Sequence, residues 1–467
     1  MSIKLSSPED LRGLNATVMG LGLNGGGMAS ARFLAERGAV VTVTDMKDEV
    51  ALTDSIAALE GLPIRFVLGR HEISDFSSAD LVVKNPAVRP DSPFLAAARD
   101  IETDISLFLR FSPAPIIAVT GSKGKSSVST AIRHGLTASG IESFLGGNIT
   151  VSPLTFIERT TPQTPIVLEL SSWQLADMRG MGILKPRIAV ITSIMPDHMN
   201  RYSSMDEYVS DKRLIYADQD AAAFTICNHD DTWGISFASE THGSVLWYSD
   251  HHLGLPGAWL AEGDNPIGLY SATGDPECSE ELLPSRLIVP GLHQRKNLLS
   301  AALACRAYGA PSKSISAAMG SFTGVEHRLE RFLERDGVSW YNDSAATIPQ
   351  AVAAALDSFT CPVILITGGT DKNLDFATSR SSYRKAKKII LLSGSGTDKL
   401  KPLLDDDGIS YYGPYDDIYT AVTKAKNLAH SGDAILLSPG CASFGMFINE
   451  FDRGNKFKET ARSIVGV

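Results

Sequence analysis

Cysteine is scarce in this chain and poorly placed for a scaffold. The five residues Cys227, Cys278, Cys305, Cys361 and Cys441 are odd in number, scattered over 467 positions and include no C-x-x-C pair. That excludes a disulfide framework and a zinc ribbon, and it fits a reducing compartment. Cys441 has no activating histidine beside it in sequence and reads as a packing residue. A basic excess is lacking too: 43 Lys and Arg face 53 Asp and Glu, a net charge of −10. Nucleic acid is therefore not expected as a partner, because a phosphate backbone needs a concentrated basic surface. No apolar stretch is long enough to span a bilayer, and MSIKLSSPEDLRG carries no apolar signal region. The expectation is a cytoplasmic protein with no membrane partner.

What is present is the makeup of a globular enzyme, 43% hydrophobic and 21% charged, in a chain too long for one core. The most informative stretch is PIIAVTGSKGKSSVSTAI, Pro115 to Ile132: an apolar run, a Gly/Ser/Lys loop, then a helical pattern with Val128, Ile132 and Leu136 on one face. Gly121 and Gly124 let backbone N–H groups approach an anion, Ser122, Lys123 and Ser127 complete the loop, Lys125 can meet terminal phosphates and Ser126 can ligate Mg²⁺. Val119 stands where the strict phosphate-loop spacing has glycine. The reading is ATP binding, against a plain strand-to-helix turn.

Upstream, TVMGLGLNGG places Gly20, Gly22 and Gly25 as G-x-G-x-x-G between a strand and a helix, with Asp45 ending the next strand. Alone, this supports a nicotinamide-dependent dehydrogenase. A second phosphate loop is of no use to such an enzyme, so a different nucleotide is expected on Gly22 to Gly25. Downstream, Glu169 near the end of TPIVLELSSWQL and Asp197 and His198 after RIAVITSIM lie at strand ends, where doubly wound sheets gather ligands. A glutamate on an apolar strand is costly to bury without a partner or a metal. The helix expected over Met205 to Ala217 carries Tyr208, Lys212, Ile215 and Tyr216 on one face. A lysine on an inward stripe snorkels, binds phosphate or is chemically altered. Between Asp218 and Pro290 no chemistry is assigned; His251 and His252 lack ligand-spaced partners and read as surface. The last third repeats strand, small-residue loop and helix in VSWYNDSAA, CPVILITGGTDK, KKIILLSGSG and DAILLSPGCASFG.

With GLGLNG, TGSKGKSS, GGN, ELSSWQL, PDHMNRY, YVSDK, GLHQRKN, EHRLE, NDSAAT, GGTDK and SPGCASFGMF in that order, the chain resembles the Mur ligases, ATP-dependent amino-acid-adding enzymes of peptidoglycan precursor synthesis, over almost its whole length. The resemblance implies three α/β domains. These are a Rossmann-like domain at 1–113 for the UDP substrate, a phosphate-loop ATPase domain with a mostly parallel sheet at 114–323, and a Rossmann-like glutamate domain at 324–467. It implies the partners UDP-N-acetylmuramoyl-L-alanine, glutamate and ATP, two Mg²⁺ ions, and a monomer. Leu23, Asn24, Asp45, Asn85, Ala87 and Asn148 would serve the UDP substrate; Asn297, Arg328 and Asp343 would join the loop on ATP. Ser126, Glu169, His198 and a carbamylated Lys212 would hold the metals, and Thr347, Lys372 and Ser443 the glutamate. Lys125, His198 and Lys212 are the implied catalytic set. Ala345, Gln294 and Glu450 depart from the family pattern, so D- and L-glutamate both stay open. A non-catalytic nucleotide-binding protein remains the third alternative.

Overall fold

A computed structural model describes residues 3–467 apart from 23, 24, 150, 198, 200 and 373. The chain forms two compact units, Met1–Ser285 with Asn297–Met319 and Arg286–Lys296 with Gly320–Val467.

The first unit holds two sheets. The smaller contains β1 (Asn15–Met19), β2 (Val40–Asp45), β3 (Ile64–Leu68), β4 (Leu81–Lys84) and β5 (Ile101–Glu102), in the order β3-β2-β1-β4-β5 and parallel throughout. The order reverses at β1, so the crevice above its C-terminal end is a natural ligand position. The larger sheet contains β6 (Ile116–Thr120), β7 (Phe144–Gly147), β8 (Ile166–Glu169), β9 (Ile188–Ile191), β10 (Phe224–Asn228), β11 (Ser244–Ser249), β12 (Gly257–Leu260), β13 (Gly268–Ser271) and β14 (Glu280–Leu283). From β7 through β12 it is parallel; β13 and β14 add an antiparallel edge. Here β6 sits between β8 and β9, a second reversal point. Helices cover both faces of such a sheet, so its strands read as unbroken apolar runs. Ile117, Ala118, Val119, Val167, Leu168 and Val190 are accordingly sealed from solvent.

One contiguous apolar cluster, from Leu5 to Phe237, runs under both sheets of this unit. A buried ion pair adds a polar clamp: Lys84, the last residue of β4, meets Asp177 at 2.8 Å at the end of the helix Ser172–Asp177. Leaving either charge alone there would cost about 3–5 kcal/mol. Among the described residues, no helix is long and apolar enough to cross a membrane.

The second unit builds one sheet from β15 (Glu330–Arg335), β16 (Val338–Asn342), β17 (Val363–Thr367), β18 (Ala386–Leu392), β19 (Tyr411–Tyr415) and β20 (Ala434–Leu437), ordered β15-β16-β20-β17-β18-β19. Only β15 is antiparallel to its neighbour. Apolar clusters pack both faces, one with Leu365 and Leu391, the other with Trp340 and Phe457. Two of these strands, β15 and β19, escape the sequence reading because charge in ERFLER and a Gly-Pro pair in YYGPY hide the pattern.

Cys227, Cys305 and Cys441 are buried, and burial pushes each thiol up to about 12. Cys278 in the first unit and Cys361 in the second are exposed.

Candidate active site

The loop after β6 is held open by two glycines. Gly121 has φ +145°, and a Cβ there would stand 1.9 Å from Thr192 Oγ1; Gly124 has φ +91°, with Asn297 Oδ1 2.5 Å from any added Cβ. No side chain at these positions could coexist with the packing. Gly124 caps the helix Lys125–Ala138 without a side-chain hydrogen bond, so the positive end of a 14-residue helix keeps its N–H groups for an outside acceptor. The loop is pinned from the strand beside it: Ser122 N–H donates to Ser193 O at 2.8 Å, Met195 N–H to Ser122 Oγ at 3.0 Å, and Thr192 Oγ1 to Lys123 O at 2.6 Å. Ser122 Oγ also meets the Tyr208 hydroxyl at 3.0 Å.

Two lysines converge on one carbonyl. Lys125 Nζ donates to Gly121 O at 2.9 Å and to Ser122 O at 3.1 Å, and Lys212 Nζ donates to the same Gly121 O at 2.8 Å. Lys212 is 2% exposed, and its pKa falls well below the ordinary lysine value because burial penalises the ammonium and Lys125 repels it. It lies over the Tyr208 ring at 4.5 Å. The helix beneath it runs only from Met205 to Arg213, four residues short of the expected end, yet Tyr208, Lys212, Ile215 and Tyr216 are all buried as their spacing foretells. The chain simply turns after Arg213 and keeps the same face inward. Lys123 reaches outward to Asp197 at 3.2 Å.

Glu169 ends β8 beside this loop and is 1% exposed. Asn148 Nδ2 donates to its Oε1 at 2.9 Å and Ser129 Oγ approaches Oε2 at 3.5 Å. Among the described residues no Lys or Arg forms an ion pair with it. A buried carboxylate with one good donor, paired in the sheet with Val119 just before the phosphate loop, fits a divalent cation in chemistry. His198 lies outside the described residues, as do Leu23 and Asn24.

Around the first sheet's crevice, Gly22 N–H donates to Asp45 Oδ2 at 3.0 Å and Lys47 N–H to its Oδ1 at 2.9 Å. A small cleft there is lined by Gly26, Gly27, Ser30, Lys84, Asn85 and Asp104. Asn85 packs against Gly20, 3.1 Å from where a Cβ would sit, and its Oδ1 accepts from Ala87 N–H at 3.0 Å. The close-packing glycine is not Gly25, which has open space around it, but Gly27, whose Cβ would meet Gly20 O at 2.1 Å. The G-x-G-x-x-G pattern is therefore realised with its third function two residues later.

In the second unit Arg328 is exposed between two non-glycine residues in the left-handed region, His327 (φ 63°) and Leu329 (φ 46°). Such backbone is strained and persists only when fixed by its surroundings. Here Asn342 Nδ2 meets His327 Nδ1 at 2.9 Å, and Leu329 N–H donates to Asp343 Oδ1 at 3.1 Å. Asp343 also accepts from Ser438 Oγ at 2.7 Å, and burial pushes its carboxyl up to about 7. Thr347, Lys372 and Ser443 follow β16, β17 and β20, which are neighbours in the sheet. Gly440 N–H donates to Ala346 O at 2.8 Å and Thr370 N–H to Ala442 O at 3.1 Å, so the three loops share one edge. Lys372 lies over Phe444 at 5.0 Å. Sequence reading missed the residue that ties the first of these loops to the third: buried Arg453 donates to Ser344 Oγ at 2.9 Å, Ser344 O at 2.8 Å and Cys441 O at 3.1 Å. A charged residue one turn inside the final helix, in EFDRG, was the only available signal.

Three family models match in sequence: the Mur ligase MurD-like N-terminal domain at residues 14–106, the Mur ligase middle domain at 119–305, and the Mur ligase glutamate ligase domain at 327–441. The UDP-N-acetylmuramoylalanine--D-glutamate ligase of Treponema pallidum is 41% identical, over 97% of this chain and 98% of its own. That of Roseiflexus sp. is 40% identical over 97% and 99%. Among solved structures, the UDP-N-acetylmuramate-alanine ligase of Thermotoga maritima has the same fold, with a TM-score of 0.62 at 20% identity, covering 97% of this chain and all of that one. A MurF ligase of Thermotoga maritima in complex with ADP superposes at 0.56 with 14% identity, covering 91% and 95%. With such identity sustained from end to end across all three domain models, the chain belongs to the Mur ligase family.

Proposed function

We propose that this chain is an ATP-dependent ligase that adds D-glutamate to UDP-N-acetylmuramoyl-L-alanine. The observation that carries the reading is Lys212, held amine-first and desolvated against the phosphate loop beside Lys125. The relatives with 41% and 40% identity bear the name of that D-glutamate ligase. The family assignment replaces the nicotinamide reading of the first glycine loop, whose Asp45 is turned onto Gly22 and Lys47.

In this proposal 1–113, 114–323 and 324–467 act as the UDP-substrate, ATP and glutamate modules. Asp45, Asn85, Ala87 and Asn148, with Leu23 and Asn24, hold the UDP substrate. Ser122 to Ser127, Asn297, Arg328 and Asp343 hold ATP. A carboxylate oxygen of the alanyl group attacks the γ-phosphorus; the bond to ADP breaks and an acyl phosphate forms. Lys125 and Arg328 oppose the charge spreading over the transferred group. Glutamate, gripped by Thr347, Lys372 and Ser443, then attacks the acyl carbon through its neutral amine. A tetrahedral intermediate collapses with loss of inorganic phosphate and of the amine proton. Mg²⁺, when bound by Ser126, Glu169, His198 and carbamylated Lys212, supplies positive charge at the phosphate oxygens. The neutral amine is the form that adds to CO₂, and burial together with Lys125 lowers the Lys212 pKa toward that form, which supports the carbamate. His198 positions the acyl group and is not assigned as a base.

The test is ADP release and product mass with ATP, Mg²⁺ and UDP-N-acetylmuramoyl-L-alanine, giving D- and L-glutamate separately. Turnover with D-glutamate alone is expected. Turnover with L-glutamate alone would keep the chemistry and reverse the pocket, and no turnover with either would leave a nucleotide-binding protein.

A further inference from the structure

His251 reads as a surface residue in sequence because nothing near it has ligand spacing. The sheet supplies its partners from twenty residues away. β10 and β11 are parallel neighbours, with Asn228 opposite Tyr248. The residues leaving each strand therefore emerge side by side: His229 and Asp230 after one, Asp250 and His251 after the other. His229, Asp230 and His251 each offer one ligand atom, and these atoms all lie within 4.8 Å of one another. The two imidazole rings stand nearly perpendicular at 83°, with centroids 6.3 Å apart, and His251 Nδ1 is 3.8 Å from Asp230 Oδ1.

The cluster is also braced. Ser249 Oγ donates to Asp230 Oδ1 at 2.6 Å and Asp250 N–H to Asp230 Oδ2 at 3.0 Å. His229 N–H donates to Tyr248 O at 3.0 Å, and its ring meets Trp247 edge-on at 5.1 Å. Asp250 Oδ1 lies 2.9 Å from His251 Nδ1, a carboxylate placed to orient that ring. Each contact fixes a ligand's position, while Asp230 and His251 keep solvent exposure for entry of an ion. Two imidazoles and one carboxylate are the donor set of borderline divalent cations, not of Mg²⁺, which prefers oxygen in an octahedron.

We propose that His229, Asp230 and His251 form a second metal site, for Zn²⁺ or a similar imidazole-preferring divalent cation, with water completing the shell. The site shares no residue with the phosphate crevice. Its effect is mechanical. Asp231, the next residue, caps the helix Thr232–Glu240 through Trp233 N–H at 3.0 Å and accepts from Ile194 N–H at 2.9 Å, in the segment that pins Ser122. A cation joining the ends of β10 and β11 stiffens that support.

The experiment titrates Co²⁺, a spectroscopic stand-in for Zn²⁺, into the full chain without an affinity tag and in excess Mg²⁺. One equivalent with visible absorption is expected, and His229→Ala or His251→Asn should each weaken binding about tenfold or more. Mg²⁺-dependent ADP release measured without Co²⁺ should stay unchanged in both variants. Glu169→Gln, which addresses the crevice, should leave Co²⁺ binding intact. Binding unchanged in the histidine variants, displaced by Mg²⁺, or abolished by Glu169→Gln would overturn the proposal.

Discussion

The first unit contains two strand-to-helix turns of the same backbone design and different charged surroundings. After β1 and after β6 alike, a glycine in the left-handed region caps a helix with no side-chain bond, Gly25 at φ 83° and Gly124 at φ 91°. Around the first, Asp45 accepts from the loop itself, Asp104, whose carboxyl burial pushes up, stands 3.8 Å from any Cβ on Gly26, and Lys84 lines the same cleft with its charge tied to Asp177. Around the second stand Lys123, Lys125 and Lys212. Backbone geometry of this kind suits an anion, and the two turns differ in the charges set around it.

The largest difference between the two turns should be steric. Gly121→Ala forces a Cβ into Thr192, so ADP release should fall by about three orders of magnitude, the scale of losing a fixed transition-state donor. Gly25→Ala meets nothing within 4 Å and should cost only about 1–2 kcal/mol of stability, from φ alone. Equal loss in both variants would show that the turns are not used differently. Next comes charge: Lys125→Ala should abolish acyl phosphate formation, while Asp45→Asn should raise the KM for the UDP substrate and leave kcat. Unchanged ADP release in Lys125→Ala would remove the transfer role from the second loop. Lys212→Ala should lose activity and regain part of it with formate or acetate; full activity without them would reject a carbamate.

A further test concerns the second unit. Asp343 has a folded pKa of about 7 against an unfolded value of 3.8. The folded state then holds the extra proton between those values, so stability is highest at the acid end of this window and declines as pH rises through it, levelling above 7. Asp343→Asn should flatten the Tm profile between pH 4 and 7. An unaltered profile would mean the carboxyl ionises freely in the fold.

The parts legible in sequence are those where local pattern and tertiary role coincide. β6, β8 and β9 read as buried strands because parallel strands covered on both faces are apolar throughout, and Lys212 stood out because helical spacing put a charge among buried neighbours. What was hidden depends on register between distant segments. Gly27 gains its role from the approach of its helix to Gly20, Arg453 from two loops over a hundred and a dozen residues away along the chain, respectively, and His251 from the pairing of β10 with β11. No local window contains those partners.

The uneven burial of the cysteines has a practical outcome. Three thiols are sealed and hold their protons, whereas Cys278 and Cys361 are exposed, one in each compact unit, though burial raises the Cys361 thiol as well. Maleimide chemistry near neutral pH should therefore attach one dye to each unit without any engineered residue. Peptide mapping of the labelled native chain should then find dye on these two residues alone.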